Sequence, residues 1–183
     1  MVAAVILLTH STVDSARLRI IVDLLNSVNI PNVSLVLSPT ASFTNGNLDW
    51  FKGKTITHSS QFELESIAAG IEGLDIGIPG GVLIWAEGAE MISSQRVASL
   101  LHEFLKSPNE ITLPSRAGAR VLPVIFPLWV VDELRSGSPQ TSLQKFLQLH
   151  PERVAEVPLD EHDFVIQSSQ ITASESGIMD DGR

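Results

Sequence analysis

The chain contains no cysteine among its 183 residues. This absence excludes disulfide bonds, thiolate nucleophiles and metal sites built from cysteine. Basic residues are also few, because 12 lysines and arginines stand against 21 aspartates and glutamates, which gives a formal net charge of -9. A nucleic acid backbone is bound through a basic field, so this balance argues against nucleic acid as a partner.

Long hydrophobic runs are missing as well. The longest apolar stretch, Val121 to Val131, is interrupted by Pro123 and Pro127 and is shorter than the roughly 20 residues that span a bilayer. The apolar N-terminal run MVAAVILL has no basic residues before it, as a secretory signal peptide would. We therefore expect no membrane partner and a cytoplasmic location.

The familiar catalytic motifs do not occur either. The sequence has no GxGxxG, Walker A, GxSxG or HExxH pattern, and its five histidines lack the spacing of metal ligands. A small hydrolase that pairs Ser11 or Ser59 with His10 or His58 remains an alternative, although no nucleophile elbow supports it.

Short apolar runs alternate with helical patterns along the chain. Val2 to Leu8 and Val33 to Leu37 flank a helix of 3.6-residue period capped by Asp14 or Ser15, which predicts a βαβ unit with parallel strands. Further helices are predicted near residues 60–71, 95–106, 127–134 and 142–149, with strands near 54–57, 80–86, 111–113, 121–126 and 154–159. We predict a three-layer α/β/α domain with a mostly parallel sheet over residues 1–172, and a flexible tail over 173–183.

The run from Gly80 to Ala86, GGVLIWA, is typical of a strand buried on both faces. It stops at Glu87, Gly88 and Glu90. Ligands in open α/β sheets bind beyond the carboxyl ends of the strands, so Glu87 is a candidate to handle a cation or a phosphate group. The alternative is an ordinary polar start of a loop. The acidic run from Asp160 to Asp163 has the same two interpretations, a site for a hard cation or a solvated loop.

Several local patterns follow one another in a recognisable order. Pro114 to Phe126 reads PSRAGARVLPVIF, Ser66 to Ile71 reads SIAAGI, and Ser142 to Val157 reads SLQKFLQLHPERVAEV. With the acidic strand end and helix from Glu87 to Val97, they resemble the MobA-like NTP-transferase family, the molybdenum-cofactor guanylyl- and cytidylyltransferases. The resemblance covers nearly the whole chain and implies the nucleotide-diphospho-sugar transferase (GT-A) fold.

The resemblance also implies a nucleotide site. In that family a Gly-rich loop after the first strand binds the phosphates, and strand-end and late aspartates hold Mg²⁺. The matching positions here are Thr9, His10 and Ser11 for the loop and Glu87 for the first metal ligand, with Mg²⁺ as the implied cofactor.

Two arginines follow in the Gly-containing turn of the best-matching segment. Arg116 and Arg120 are candidate phosphate contacts, and an exposed turn is the alternative. Pro123, just after this turn, favours a sheet edge for the strand that follows a hairpin-like excursion.

The sequence departs from the family pattern where the phosphates would bind. His10 stands at the glycine position, the loop is shortened, and no lysine occurs before Lys52. The second metal position falls near Ser169, which supplies no anionic ligand. Nucleotidyl transfer depends on charge neutralisation and alignment, so we predict that transfer is weakened or lost.

Two function classes follow from the resemblance and these departures. One is a non-catalytic relative that serves as a binding module for a protein or a small phosphorylated ligand. The other is an active Mg²⁺-dependent nucleotidyltransferase acting on a molybdopterin-like or other phosphorylated acceptor. The stretch from Thr9 to Arg17 separates them, because an active enzyme would gather backbone N–H groups there.

Overall fold

Strands and helices alternate through the computed structural model, which describes residues 1–8, 10–59, 63–74, 80–136, 142–160 and 163. The strands are β1 (Val2–Leu8), β2 (Thr12–Asp14), β3 (Val33–Leu37), β4 (Ser42–Thr44), β5 (Lys54–Thr57), β6 (Gly81–Ala86), β7 (Ile111–Arg116), β8 (Ala119–Arg120), β9 (Val124–Pro127) and β10 (Val154–Pro158). The helices are α1 (Ser15–Ser27), α2 (Glu63–Glu72), α3 (Ser94–Lys106), α4 (Leu128–Ser136) and α5 (Leu143–Leu149). The tail predicted over 173–183 lies outside the described residues, and the domain boundary at 172 stays a prediction.

The main sheet has the strand order β10-β7-β9-β6-β1-β3-β5, with β8 paired to β7. Strands β5, β3, β1 and β6 are mutually parallel, and β10 is parallel to β7. Strand β9 runs antiparallel to both β6 and β7. The predicted mostly parallel sheet is confirmed.

Both faces of this sheet are covered by helices. Alternate residues of β1 point to opposite faces, and each set joins its own hydrophobic core. Val5 and Leu7 lie in the core with α2, α4 and α5, whereas Ile6 and Leu8 lie in the core with α1 and α3. Burial on both faces explains the continuous apolar runs, and the predicted three-layer arrangement is confirmed. In the described part of the chain, no helix is long and apolar enough to cross a membrane.

The segment around the two arginines differs from its prediction. Strand β7 turns through Ala117 and Gly118, with φ of 49° and 80°, into the short β8. Strand β9 then lies inside the sheet, between β6 and β7, so the expected sheet edge is wrong. Pro123 precedes β9, and therefore its missing N–H removes no hydrogen bond from a central strand.

Asp14 begins α1 by capping it. Its Oδ1 accepts hydrogen bonds from the backbone N–H groups of Ala16 and Arg17 at 3.0 and 3.3 Å. These amides have no partner within the helix, so the carboxylate satisfies them and also complements the helix dipole. The predicted cap is confirmed.

We expect Asp14→Ala to lower the free energy of unfolding by about 1 kcal/mol, because the two amides lose their acceptor. Asp14→Asn retains a capping oxygen and serves as the matched control, with a smaller expected loss. Urea denaturation monitored by circular dichroism measures both. Equal losses in the two variants would mean that charge, rather than capping, accounts for the contribution of Asp14.

Candidate functional site

A buried carboxylate lies where β1 and β6 end. The two strands are parallel neighbours with Leu7 opposite Ala86, and the Glu87 N–H donates to the Leu7 carbonyl at 2.9 Å. The side chain of Glu87 is only 9% exposed, and its Oε2 lies 3.2 Å from Nδ1 of His10, whose side chain is 60% exposed. A buried carboxylate requires a polar partner, and the imidazole provides one.

The turn after Glu87 is shaped to receive that imidazole. A Cβ atom on Gly88 would lie 2.5 Å from Cε1 of His10, which is closer than two carbon atoms approach. Only glycine lets the ring lie against the turn without a shift. A ligand that binds Glu87 from the His10 side must therefore displace the imidazole.

The predicted metal position at Glu87 has few neighbours able to help it. In the described residues no group of three or more histidine or acidic side chains could hold a metal ion. Proteins bind Mg²⁺ through one or two carboxylates, with water and substrate phosphates completing the octahedron. Glu87 supplies one carboxylate, so its fit to Mg²⁺ depends on phosphates brought by a ligand. The late position near Ser169 lies outside the described residues.

The segment that follows the predicted phosphate loop is an extended strand. Thr12 to Asp14 form β2, which pairs in parallel with β4, and the Ser11 carbonyl accepts hydrogen bonds from the N–H and hydroxyl of Ser42 at 2.8 and 2.9 Å. Extended backbone directs successive N–H groups to opposite sides, so β2 does not form the concave nest that binds an anion. Thr9 lies outside the described residues.

Arg17 is a residue at this edge that the sequence analysis did not select. Its Nη2 donates a hydrogen bond to the Ala89 carbonyl, just beyond Glu87, and its Nε is buried without a hydrogen-bond partner. The side chain therefore joins the first turn of α1 to the loop after β6. The sequence did contain one signal for Arg17. This residue lies three positions after Asp14, the cap of α1, and α1 begins at the carboxyl edge of the sheet.

Arg116 and Arg120 both face carboxylates. Nη1 of Arg116 lies 3.1 Å from Oε2 of Glu90, and Nε of Arg120 lies 2.8 Å from Oε1 of Glu156. The first pair joins the end of β7 to the loop after β6, whereas the second pair joins β8 to β10. Each predicted phosphate contact thus has an acidic neighbour that reduces its attraction for a phosphate group.

The acidic run after β10 is held by an arginine. Nε of Arg96 lies 2.6 Å from Oδ1 of Asp163, and its Nη2 lies 3.9 Å from Oδ2 of Asp160. The hydrogen bond with Asp163 raises the pKa of Arg96 above its usual value. Ser93 N–H also donates to the Asp163 carbonyl at 3.0 Å. These two carboxylates tie the chain to the start of α3, which is a structural role.

The hydrolase alternative has no support in the described part of the chain. No serine hydroxyl there is hydrogen-bonded to His10 or His58. His10 instead contacts Glu87, and Nε2 of His58 is buried without a hydrogen-bond partner. The nucleophile and base of a serine hydrolase would lie within hydrogen-bond distance of each other.

A cavity of about 710 Å³ lies between the β7–β8 turn, the start of β9, α5 and the first residue of α2. Its wall combines aliphatic side chains with the charged and amide side chains of Glu63, Arg120, Gln144, Gln148 and Glu156. This cavity brings together residues that are distant in sequence and that no local motif connects.

No protein-family model matches the sequence, and no curated protein matches it. Solved structures do match. Rv0371c from Mycobacterium tuberculosis H37Rv is similar with a TM-score of 0.69 at 14% identity, over 87% of this chain and 89% of that one. The 4-diphosphocytidyl-2C-methyl-D-erythritol synthase of Anaerococcus prevotii DSM 20548 matches with a TM-score of 0.65 at 13% identity. The match covers 93% of this chain and 92% of the synthase chain. CMP:2-keto-3-deoxy-manno-octonic acid synthetase, solved with CTP, matches with a TM-score of 0.56 at 11% identity. The match covers 86% of this chain and 90% of the synthetase chain.

The fold is that of the nucleotidyltransferases. At these identities the similarity establishes the fold alone, and the site has to be judged from its own residues. Within the nucleotidyltransferase fold, the structure brings His10 and Glu87 into contact and places Ser11 in the adjoining turn. Arg116 reaches the same edge through Glu90, whereas Arg120 lines the separate cavity.

Proposed function

We propose that this protein is a MobA-like member of the nucleotidyltransferase fold that has lost nucleotidyl transfer and serves as a binding module. One observation supports this most directly. The amides of Ala16 and Arg17, at the start of α1, are bound by Asp14, and the segment before them is strand β2. Phosphoryl and nucleotidyl transfer rely on positioning and charge neutralisation, whereas the amides at the start of α1 are already bound by Asp14 and the segment contains no lysine.

The charges around the site favour the same conclusion. Asp14 adds a negative charge where the phosphates would lie, and Arg116 is paired with Glu90. The chain as a whole carries a formal charge of -9, so the long-range field opposes the approach of an anion.

An active Mg²⁺-dependent transferase is the second candidate, and Glu87 is the observation that favours it. Its carboxylate keeps the strand-end position beside β1, and Rv0371c has also been crystallised in a complex with manganese. In this case Glu87 would hold the divalent ion, whose charge would offset that of the nucleotide phosphates. The acceptor would be a molybdopterin-like or other phosphorylated compound.

A thermal-shift titration with CTP, GTP and ATP, each with and without Mg²⁺ or Mn²⁺, tests the proposal. We expect no nucleotide to raise the melting temperature at millimolar concentration. A ligand at a hundred times its Kd would stabilise the folded state by about 2.7 kcal/mol, which such a titration detects.

The Glu87→Ala variant decides between the two candidates, with Glu72→Ala, an exposed glutamate of α2, as the matched control. A metal-dependent rise in melting temperature that disappears in Glu87→Ala and persists in Glu72→Ala would show that a nucleotide binds at Glu87 and would favour the second candidate. Release of pyrophosphate from the same nucleotide would overturn the proposed loss of transfer.

A further inference from the structure

We propose that the 710 Å³ cavity beside α5 binds a small organic cation, an amine, amidinium or guanidinium group carried on an apolar body. This inference rests on the proposed binding function and names its ligand class. The cavity is distinct from the His10–Glu87 site, because neither residue lines it.

The size of the cavity and its mixture of polar and apolar side chains suit a small molecule. Ligand cavities usually measure about 300–1,000 Å³ and are lined mainly by hydrophobic side chains. Leu113 and Val124 contribute from the sheet, and Leu143 and Leu147 contribute from α5. These four side chains are only 1%, 1%, 6% and 6% exposed, so they form a fixed base to the cavity, and the half-buried Val121 and Leu122 provide its accessible apolar surface.

The charges in the wall leave one carboxylate in excess. Arg120 is matched by Glu156, since its Nε donates to Oε1 at 2.8 Å, and its Nη1 lies 3.5 Å from the Leu147 carbonyl. Glu63 has no cationic partner among the described residues. Its Oε2 accepts a hydrogen bond from the Leu143 N–H at 3.1 Å, which leaves Oε1 available to a ligand. The wall therefore carries a net negative charge.

This charge selects the ligand class. A phosphate or carboxylate group would meet two carboxylates and a single guanidinium that is already paired, so Arg120 does not make this cavity a phosphate site. A cationic group offers N–H donors to Glu63 Oε1 and is attracted by the excess charge. Gln144 and Gln148 also line the cavity, and their amide oxygens can accept further N–H groups while Val121 and Leu122 contact the apolar body.

Benzamidine and benzoate form a matched pair of probes, because they share the same ring and differ in the sign of their charge. We expect isothermal titration calorimetry to give saturable benzamidine binding at millimolar concentration and no benzoate binding. Glu63→Gln keeps an acceptor for the Leu143 N–H but removes the charge, and should weaken benzamidine by about tenfold, as expected for a hydrogen bond to a charged group.

Two further variants complete the experiment. Glu72→Gln removes the same charge from the same helix outside the cavity and should leave the affinity unchanged. Gln148→Glu adds a carboxylate to the wall and should strengthen benzamidine binding, which keeps the test decisive if Glu63→Gln fails to fold. Absence of benzamidine binding, equal binding of benzoate, or equal weakening by Glu63→Gln and Glu72→Gln would each overturn the inference.

The outcome is separable from that of the proposed loss of transfer. Failure of benzamidine to bind would leave the nucleotide result untouched, because the nucleotide titration reports on Glu87 and not on this cavity. Pyrophosphate release from a nucleotide, together with intact benzamidine binding, would overturn the loss of transfer and leave the cation site standing.

Discussion

Replacing Trp85 by alanine is expected to lower the free energy of unfolding by about 3–5 kcal/mol, the usual loss when a large buried aromatic side chain is truncated. Trp85 lies on the central strand β6, opposite Ile6 of β1, and its side chain is 0% exposed. It belongs to the core between the sheet and helices α1 and α3. Pairing with β1 holds the backbone at Trp85, so the cavity left by the indole closes only in part.

The Trp85→Phe variant separates the apolar contribution of the ring from its N–H group. Nε1 of Trp85 is buried without a hydrogen-bond partner, and burying such a donor costs free energy. Phenylalanine lacks that donor but keeps most of the ring volume. We therefore expect Trp85→Phe to lower the free energy of unfolding by less than about 2 kcal/mol. Urea denaturation of the three proteins gives both differences. A loss below 1 kcal/mol for Trp85→Ala would contradict the burial of β6.

The architecture was largely predictable because its signals are local. A strand buried on both faces needs an apolar residue at every position, and Val2–Leu8 and Gly81–Ala86 show this without reference to the rest of the chain. Helix starts are equally local, since Asp14, Ser93 and Ser142 each cap the helix that follows through a side-chain oxygen. These features determined the number and the order of most elements.

Long-range pairing could not be predicted in the same way. Strand β9 lies inside the sheet, where it pairs antiparallel with both β6 and β7. The proline before it had instead predicted a position at the sheet edge. The partners of Arg116 and Arg120 are 26 and 36 residues away in sequence. No local pattern indicates that each arginine faces a carboxylate, and that neighbour lowers the attraction of each arginine for a phosphate group.

The candidate site was predictable in one part only. Glu87 follows a buried strand, and the rule that ligands bind beyond carboxyl ends of strands selects it. The contact between Glu87 and His10 forms because β1 and β6 are neighbours in the sheet. The sequence alone does not predict that strand order. The cavity beside α5 is lined by residues of α2, β7, β8, β9, α5 and β10, which are distant in sequence, and no motif surrounds Glu63.

Phe104→Ala is expected to lower the free energy of unfolding by about 3–5 kcal/mol, and the same contact explains why β6 begins with a glycine. The Phe104 ring of α3 lies over Gly81, where a Cβ atom would come within 2.6 Å of Cζ and 3.0 Å of the Phe126 carbonyl oxygen. The glycine therefore provides space for a helix side chain. Gly81→Ala alone should lower the free energy of unfolding by about 1–3 kcal/mol, because the new methyl group overpacks this contact.

The double variant Gly81→Ala/Phe104→Ala tests whether the two residues share that space. The alanine methyl can enter the volume that the ring vacates, so the double loss should be smaller than the sum of the single losses by about 1 kcal/mol or more. Strict additivity in a double-mutant cycle measured by urea denaturation would mean that the ring does not occupy this position. The contact holds α3 against β6, and Glu87 lies in the short segment between them, so the geometry of the candidate site depends on it.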